Sequence, residues 1–133
     1  MGIKSKVRTL TPTYYLDFTM KPGSSYSQSV PQGWTTFLYT LEGEIKLGKT
    51  VTIKPHCTAV LSKNEEIVQF ENSSGSDARF LLISGQPLNE PIVQHGPFVM
   101  NTKEEIAQTF RDYQEGKNGF EKAHEWRSRE GNK

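Results

Sequence analysis

One cysteine, Cys57, is all the chain has; no disulfide can form within it, and that usage suits a reducing, intracellular compartment. No apolar run approaches the ~18–20 residues that a membrane-spanning helix needs, and the first residues lack the apolar stretch of a signal peptide. An excess of charge is missing too. Sixteen Lys and Arg against 15 Asp and Glu leave a net +1, which offers neither nucleic acid nor an anionic membrane a bulk electrostatic handle. The histidines are His56, His95 and His124, and no two stand as His-x-His. Internal repeats and low-complexity segments are absent. What remains is 133 residues, enough for one sizeable core, only 34% hydrophobic but 11% aromatic and supplied with Thr, Val and Ile. That composition favours strands over helix bundles.

The strand signals are local and frequent. From Thr13 to Met20 the residues Tyr14, Leu16, Phe18 and Met20 alternate with Tyr15, Asp17 and Thr19, the pattern of a half-buried strand stopped at Lys21-Pro22-Gly23. Trp34 to Leu41 is the longest β-branched and aromatic run and reads as a central strand with both faces largely buried. Glu44 to Leu47, Thr50 to Lys54, Cys57 to Leu61, Glu66 to Glu71 and Ala78 to Ser84 follow, separated by turn residues. Turns about every ten residues predict a sandwich or barrel. Lys4, Lys6 and Arg8 at every second position predict a solvated edge strand at the start, with a contact to a partner segment as the alternative.

After Gly85 the pattern changes. Pro87 and Pro91 end the strand run, and Ile92 to Asn101 is a mixed extended stretch containing Gly96-Pro97. Thr102-Lys103-Glu104-Glu105 fits a capping box, with two early carboxylates suited to a helix N-terminus. Ile106, Ala107, Phe110 and Tyr113 form a helical stripe that Gly116 terminates, and a second short helix is expected from Phe120 to about Arg129. The expected organisation is a β-sandwich over residues 1–101 and a helical extension over 102–133 packed on it.

The stretch from Gly23 to Gly43 resembles the first metal motif of the cupins, G-x5-H-x-H-x(3,4)-E-x6-G, in spacing but not in ligands. Ser29, Pro31 and Thr36 stand where the two histidines and the glutamate would be, and Gly43 closes the frame. Cupins complete the site with a histidine followed shortly by an asparagine; here Val68 and Asn72 take those places. Hydroxyls, a proline and a valine cannot hold a first-row metal tightly, so the frame predicts a cupin-type double-stranded β-helix, all-β with two short C-terminal helices, whose metal site is gone.

Gly85 to Thr102, with its string Gly96-Pro97-Phe98-Val99-Met100-Asn101-Thr102, resembles the C-terminal half of the pirin family, as do Gly2 to Val7, Pro31 to Thr35 and Lys117 to Glu121. The resemblance covers essentially the whole chain. It implies half of a two-domain bicupin, either isolated or a short natural product, whose iron sits on three histidines and a glutamate in an N-terminal domain absent here. It also implies a nuclear and cytoplasmic co-regulator that helps NF-κB-type transcription factors engage DNA, or a quercetin 2,3-dioxygenase acting through that iron. Neither activity carries over residue by residue, so the expectation for this chain is no catalytic, cofactor-binding or metal residue. It is then a scaffold and interaction half partnering the N-terminal cupin, with no direct nucleic-acid or membrane binding. Self-association is expected through surface that the missing half would cover. A metal-free cupin pocket enclosing an apolar small molecule is a third reading.

The remaining candidates have ordinary explanations. His56 and Cys57 are neighbours, and on a strand they would point to opposite faces and could not share an ion. His95 is expected to order its loop through a ring nitrogen, and His124 to lie on a solvated helix face. Phe98, Met100, Ile106 and Phe110 fit either a partner surface or a helix docked on its own sandwich.

Overall fold

The computed structural model describes residues 6–128 and Glu130. The chain divides into two compact units, Met1–Leu88 and Asn89–Lys133.

Among the described residues the first unit holds eight strands: β1 (Thr13–Met20), β2 (Ser25–Ser29), β3 (Thr35–Glu42), β4 (Ile45–Leu47), β5 (Val51–Ile53), β6 (Thr58–Val60), β7 (Ile67–Glu71) and β8 (Ala78–Gly85). They form two antiparallel sheets, β1-β8-β3-β6 and β2-β7-β4-β5, in the arrangement of a cupin sandwich. Alternation along each strand decides what faces the other sheet. In the first sheet the inward rows are Tyr14, Ser84 and Thr36; then Leu16, Leu82 and Leu38; then Phe18, Phe80 and Thr40. From the second sheet come Val68, Phe70 and Ile45, all but fully enclosed. Three rings join the layers: Phe80 lies 5.1 Å from Phe18 and 4.9 Å from Phe70, and Phe18 lies 5.7 Å from Phe70. A fully buried Phe contributes about 1.5–3 kcal/mol by area alone, so this trio is the main tie between the sheets.

Gly43 turns the chain from β3 into β4. Its φ is +65°, and a Cβ there would run into the Asp77 carbonyl oxygen and come within 2.9 Å of the Ala78 Cα. The glycine closing the cupin spacing is therefore required by backbone conformation and close approach together. In β3, Thr36, Leu38 and Thr40 are buried while Phe37 and Tyr39 are only half-buried, so one face of the central strand looks outward.

Among the described residues the second unit contains a hairpin, β9 (Val93–His95) and β10 (Phe98–Met100), and one helix, α1 (Lys103–Glu115). The capping box is formed: Thr102 Oγ1 accepts from the Glu105 amide at 3.2 Å, and Glu105 Oε2 accepts from the Thr102 amide at 2.8 Å. Gly116 ends α1 in the left-handed region, its φ 63°.

Two expectations are corrected. Lys4 lies outside the described residues, and Lys6 to Arg8 are exposed and belong to none of the described strands, the first of which begins at Thr13. The second helix does not form over 120–128; residues 121–125 make consecutive turns, 126–128 are irregular, and Arg129 lies outside the described residues. Two positive φ angles, 52° at Asn118 and 100° at Gly119, bend the chain back, and His124 Nε2 is bonded to the Tyr113 carbonyl at 2.9 Å. Contacts back to α1 outweigh helix propensity here. Among the described residues no helix is long and apolar enough to cross a membrane.

Candidate functional site

The interior of the sandwich, where a cupin holds its ion, is the place to look for chemistry. Strand pairing decides which of the motif positions reach it. Ser29 pairs with Ile67, which is 57% exposed, so both sit on the outward side. Gln28 instead pairs with Val68, which is 1% exposed and in the core. Val30 is also buried, its amide donating to the Glu66 carbonyl at 2.9 Å. The inward positions at the end of β2 are thus Gln28 and Val30, one residue away from the Ser29 and Pro31 that the spacing selects. A one-residue offset exchanges the faces of a strand, and spacing alone could not detect it. Pro31 sits in the turn before β3, where its carbonyl accepts from the Trp34 amide at 3.2 Å.

Thr36 and Val68 do line the interior. Thr36 Oγ1 lies 2.6 Å from Ser84 Oγ, and one hydrogen bond joins the two buried hydroxyls, either of which can donate. Tyr14 continues their row, its ring 5.3 Å from that of Trp34. Gln28 turns its amide Nε2 to the Ser29 carbonyl at 2.7 Å. Deeper in, the enclosed Thr40 Oγ1 has no hydrogen-bond partner.

Asn72, in the place of the cupin asparagine, is fully buried and acts as a structural hub. Its Nδ2 donates to the carbonyls of Met20 at 2.9 Å and Ser76 at 2.8 Å, and its Oδ1 accepts from the Ser74 amide at 3.0 Å and hydroxyl at 2.7 Å. Every polar atom of the carboxamide is used to hold the β7–β8 loop against the end of β1.

This interior offers only neutral hydroxyls and carboxamides, all but that of Thr40 already bonded to protein. A first-row metal needs imidazole, carboxylate or thiolate donors free to bind, so the residues present do not fit the ion that the fold houses elsewhere. Among the described residues no three His, Cys, Asp or Glu side chains come together in a way that could hold one. An open groove of about 540 Å³ lies along Ser25, Ser27, Lys49, Gln69 and Glu71, and neither Thr36 nor Ser84 lines it.

The histidines are scattered. His56 is exposed in a turn at φ 60°, its amide donating to the Thr40 carbonyl at 2.7 Å, and Cys57 also precedes β6 rather than lying within it. His95 is not placed as a simple loop brace: its ring meets Phe110 edge-on at 5.0 Å. His124 is exposed but tied to Tyr113, not free on a helix face. Phe98 and Phe110 are 5.4 Å apart within the second unit, and Ile106 is buried. Ser84 and Gln28 are the interior residues that sequence reading missed; their facing is set by pairing with distant strands, which no local pattern marks.

Comparison with known proteins agrees with this geometry. Residues 15–119 match a family model described as the pirin C-terminal cupin domain. The chain is similar to pirin of Homo sapiens, 52% identical over 135 residues that cover 99% of this chain and 46% of that protein. It is similar to a pirin-like protein of Solanum lycopersicum, 54% identical over 132 residues, covering 97% and 45% respectively. The chain thus spans about half the length of the relatives it matches. Among solved structures it is similar to a quercetin 2,3-dioxygenase from Acinetobacter baumannii, with a TM-score of 0.77 and 36% identity over 88% of this chain and 40% of that one.

Proposed function

Because the chain belongs to the pirin family, matching its C-terminal cupin domain, we propose that it is the non-catalytic, metal-free half of a pirin-like iron-dependent transcriptional co-regulator. Its work is that of a scaffold: it covers an iron-bearing N-terminal cupin and presents surface to transcription factors of the NF-κB type in nucleus and cytoplasm. The observation that carries the reading is the Thr36–Ser84 hydroxyl pair, hydrogen-bonded at 2.6 Å in the interior where a metallated cupin needs free imidazoles. A carboxamide hub at Asn72 and an aromatic trio fill the rest with groups that hold structure.

Metal analysis of the purified chain tests it. The expected iron content is far below one equivalent, even after reconstitution with Fe(II). Stoichiometric iron that is lost in Thr36→Ala would overturn the reading. The partner claim is tested separately, by fluorescence anisotropy of an NF-κB-type DNA-binding domain on its DNA with and without an N-terminal half joined to this chain. Unchanged affinity would remove the co-regulator role.

The similarity to a quercetin 2,3-dioxygenase favours a second reading, in which the chain is the supporting half of such an iron enzyme. Quercetin turnover would then require the other half, and turnover by this chain alone would contradict both readings.

A further inference from the structure

The chain has six asparagines, and only Asn118 precedes a glycine. That pair is chemically open, because glycine has no side chain to keep its amide nitrogen from the carboxamide carbon one residue back. Asn118 and Gly119 are exposed and form the tip of a turn just beyond α1. The Phe120 amide donates to the Lys117 carbonyl at 3.1 Å, and φ is 52° at Asn118 and 100° at Gly119, the two left-handed residues of a type I′ turn. Closing a five-membered ring through the Gly119 nitrogen needs a different rotation of the Asn118 backbone, so the turn must open first.

Two carboxylates hold it shut. The Gly119 amide donates to both oxygens of Glu121, at 3.2 and 3.1 Å. The Asn118 carboxamide is bonded to Asp112, whose carboxyl it holds below the ordinary 3.8 and which also accepts from Gln108 Nε2 at 2.7 Å. A backbone nitrogen attacks only after losing its proton, and a carboxylate bonded to the neutral N–H opposes the anion. Asn72 precedes another small residue, Ser73, but is fully buried with every polar atom of its carboxamide bonded, which leaves it no freedom to react.

We propose that Asn118 is a deamidation site, latched by the Asp112 and Glu121 carboxylates and released by local opening of the second unit. The step consumes only water. The Gly119 nitrogen bonds to Asn118 Cγ, the Cγ–Nδ2 bond breaks, and Nδ2 leaves as ammonia with the proton that the nitrogen gave up. Water then opens the succinimide at either carbonyl, to aspartate or isoaspartate. Neither product restores the latch: a carboxylate at 118 faces Asp112 where a carboxamide donated before, and isoaspartate lengthens the backbone of the turn. Phe120 links the turn to the ring cluster, 5.8 Å from Phe98 and 5.5 Å from Tyr113. The modification is thus a one-way loosening of the second unit, and it involves neither iron nor a partner.

Timed incubation of the 133-residue chain in warm, mildly alkaline buffer is the test. Acid proteolysis with mass spectrometry locates the conversion, and enzymatic methylation of isoaspartate counts it. Asn118 is expected to convert ahead of the other asparagines, and more slowly in the native chain than in urea. Phe98→Ala, which loosens the ring cluster, should raise the native rate about tenfold by raising the open population. Glu121→Ala should raise it too, while in urea all three chains convert alike. Retained amide protection in β8 checks that the variants fold. Asn118→Asp, standing for one product, should speed amide exchange in α1 and the hairpin; Asn118→Gly, which keeps the turn without the charge, should not. A native rate equal to the unfolded one overturns the proposal. So does a native rate that both Phe98→Ala and Glu121→Ala leave unchanged, or an Asn118 that stays intact in all three folded chains.

Discussion

The two units of this chain hold themselves together by different means. In the first, cohesion comes from period-two alternation: Leu38, Phe80 and Leu82 are fully enclosed because each strand sends every second side chain inward. In the second, half-exposed rings meet edge to face. Phe98 lies 5.4 Å from Phe110 and 5.8 Å from Phe120, and Tyr113 lies 5.5 Å from Phe120. Only Ile106 and Thr109 of α1 are buried. A core of enclosed side chains resists the loss of any one contact only at high cost, whereas a cluster of partly wet rings opens locally. The second unit should therefore show faster amide exchange than β8 and β3.

Substitutions can break or sharpen that contrast. The largest effect is expected from Phe80→Ala, which removes the ring common to both sheets; a loss of about 3–5 kcal/mol in urea unfolding is anticipated. A loss under about 1 kcal/mol would mean that the trio does not tie the sheets. Gly43→Ala comes next, at about 2–4 kcal/mol, because the positive φ and the clash with the Asp77–Ala78 backbone add. Phe98→Ala should cost about 1–3 kcal/mol and do so locally. Hydrogen exchange should accelerate in α1 and the hairpin while β8 keeps its protection, and equal acceleration in both would erase the distinction between the units. Thr40→Val should be neutral or stabilise by up to about 1 kcal/mol, since it replaces an unpartnered buried hydroxyl with a methyl of similar shape.

The smallest effect is electrostatic. The Arg79 guanidinium, hydrogen-bonded to Asp17, holds that carboxyl below its ordinary 3.8. A depressed folded value means the pair's contribution is fully present above that ordinary value and drains away as pH falls below it. The stability difference between the native chain and Asp17→Asn should therefore be small at pH 7 and vanish in acid. Solvent exposure and salt limit it at every pH. A difference that grows on acidification would refute this assignment.

Much of the molecule could be read without coordinates. Alternation located β1, the β-branched and aromatic run located β3, turn residues bounded β7 and β8, the capping box located α1, and Gly43 and Gly116 were legible as turn and stop because only a few residue types tolerate a left-handed backbone. The loss of histidine and carboxylate donors from the cupin frame was likewise a matter of residue identity, visible in any order of reading.

Tertiary pairing decided the rest. Whether Ser29 or Gln28 faces the interior depends on which residue lies opposite Val68, a partner some forty positions away. The hydroxyls of Thr36 and Ser84 become a pair only when β3 and β8 run side by side. The region after Gly119 had the residues of a helix and became turns because Tyr113 claimed His124. Local preferences carry about a kcal/mol or less per residue, so they suffice to start and stop elements. Which face is inside, and what meets there, is settled by burial and long-range hydrogen bonds that exist only once the sheets have closed.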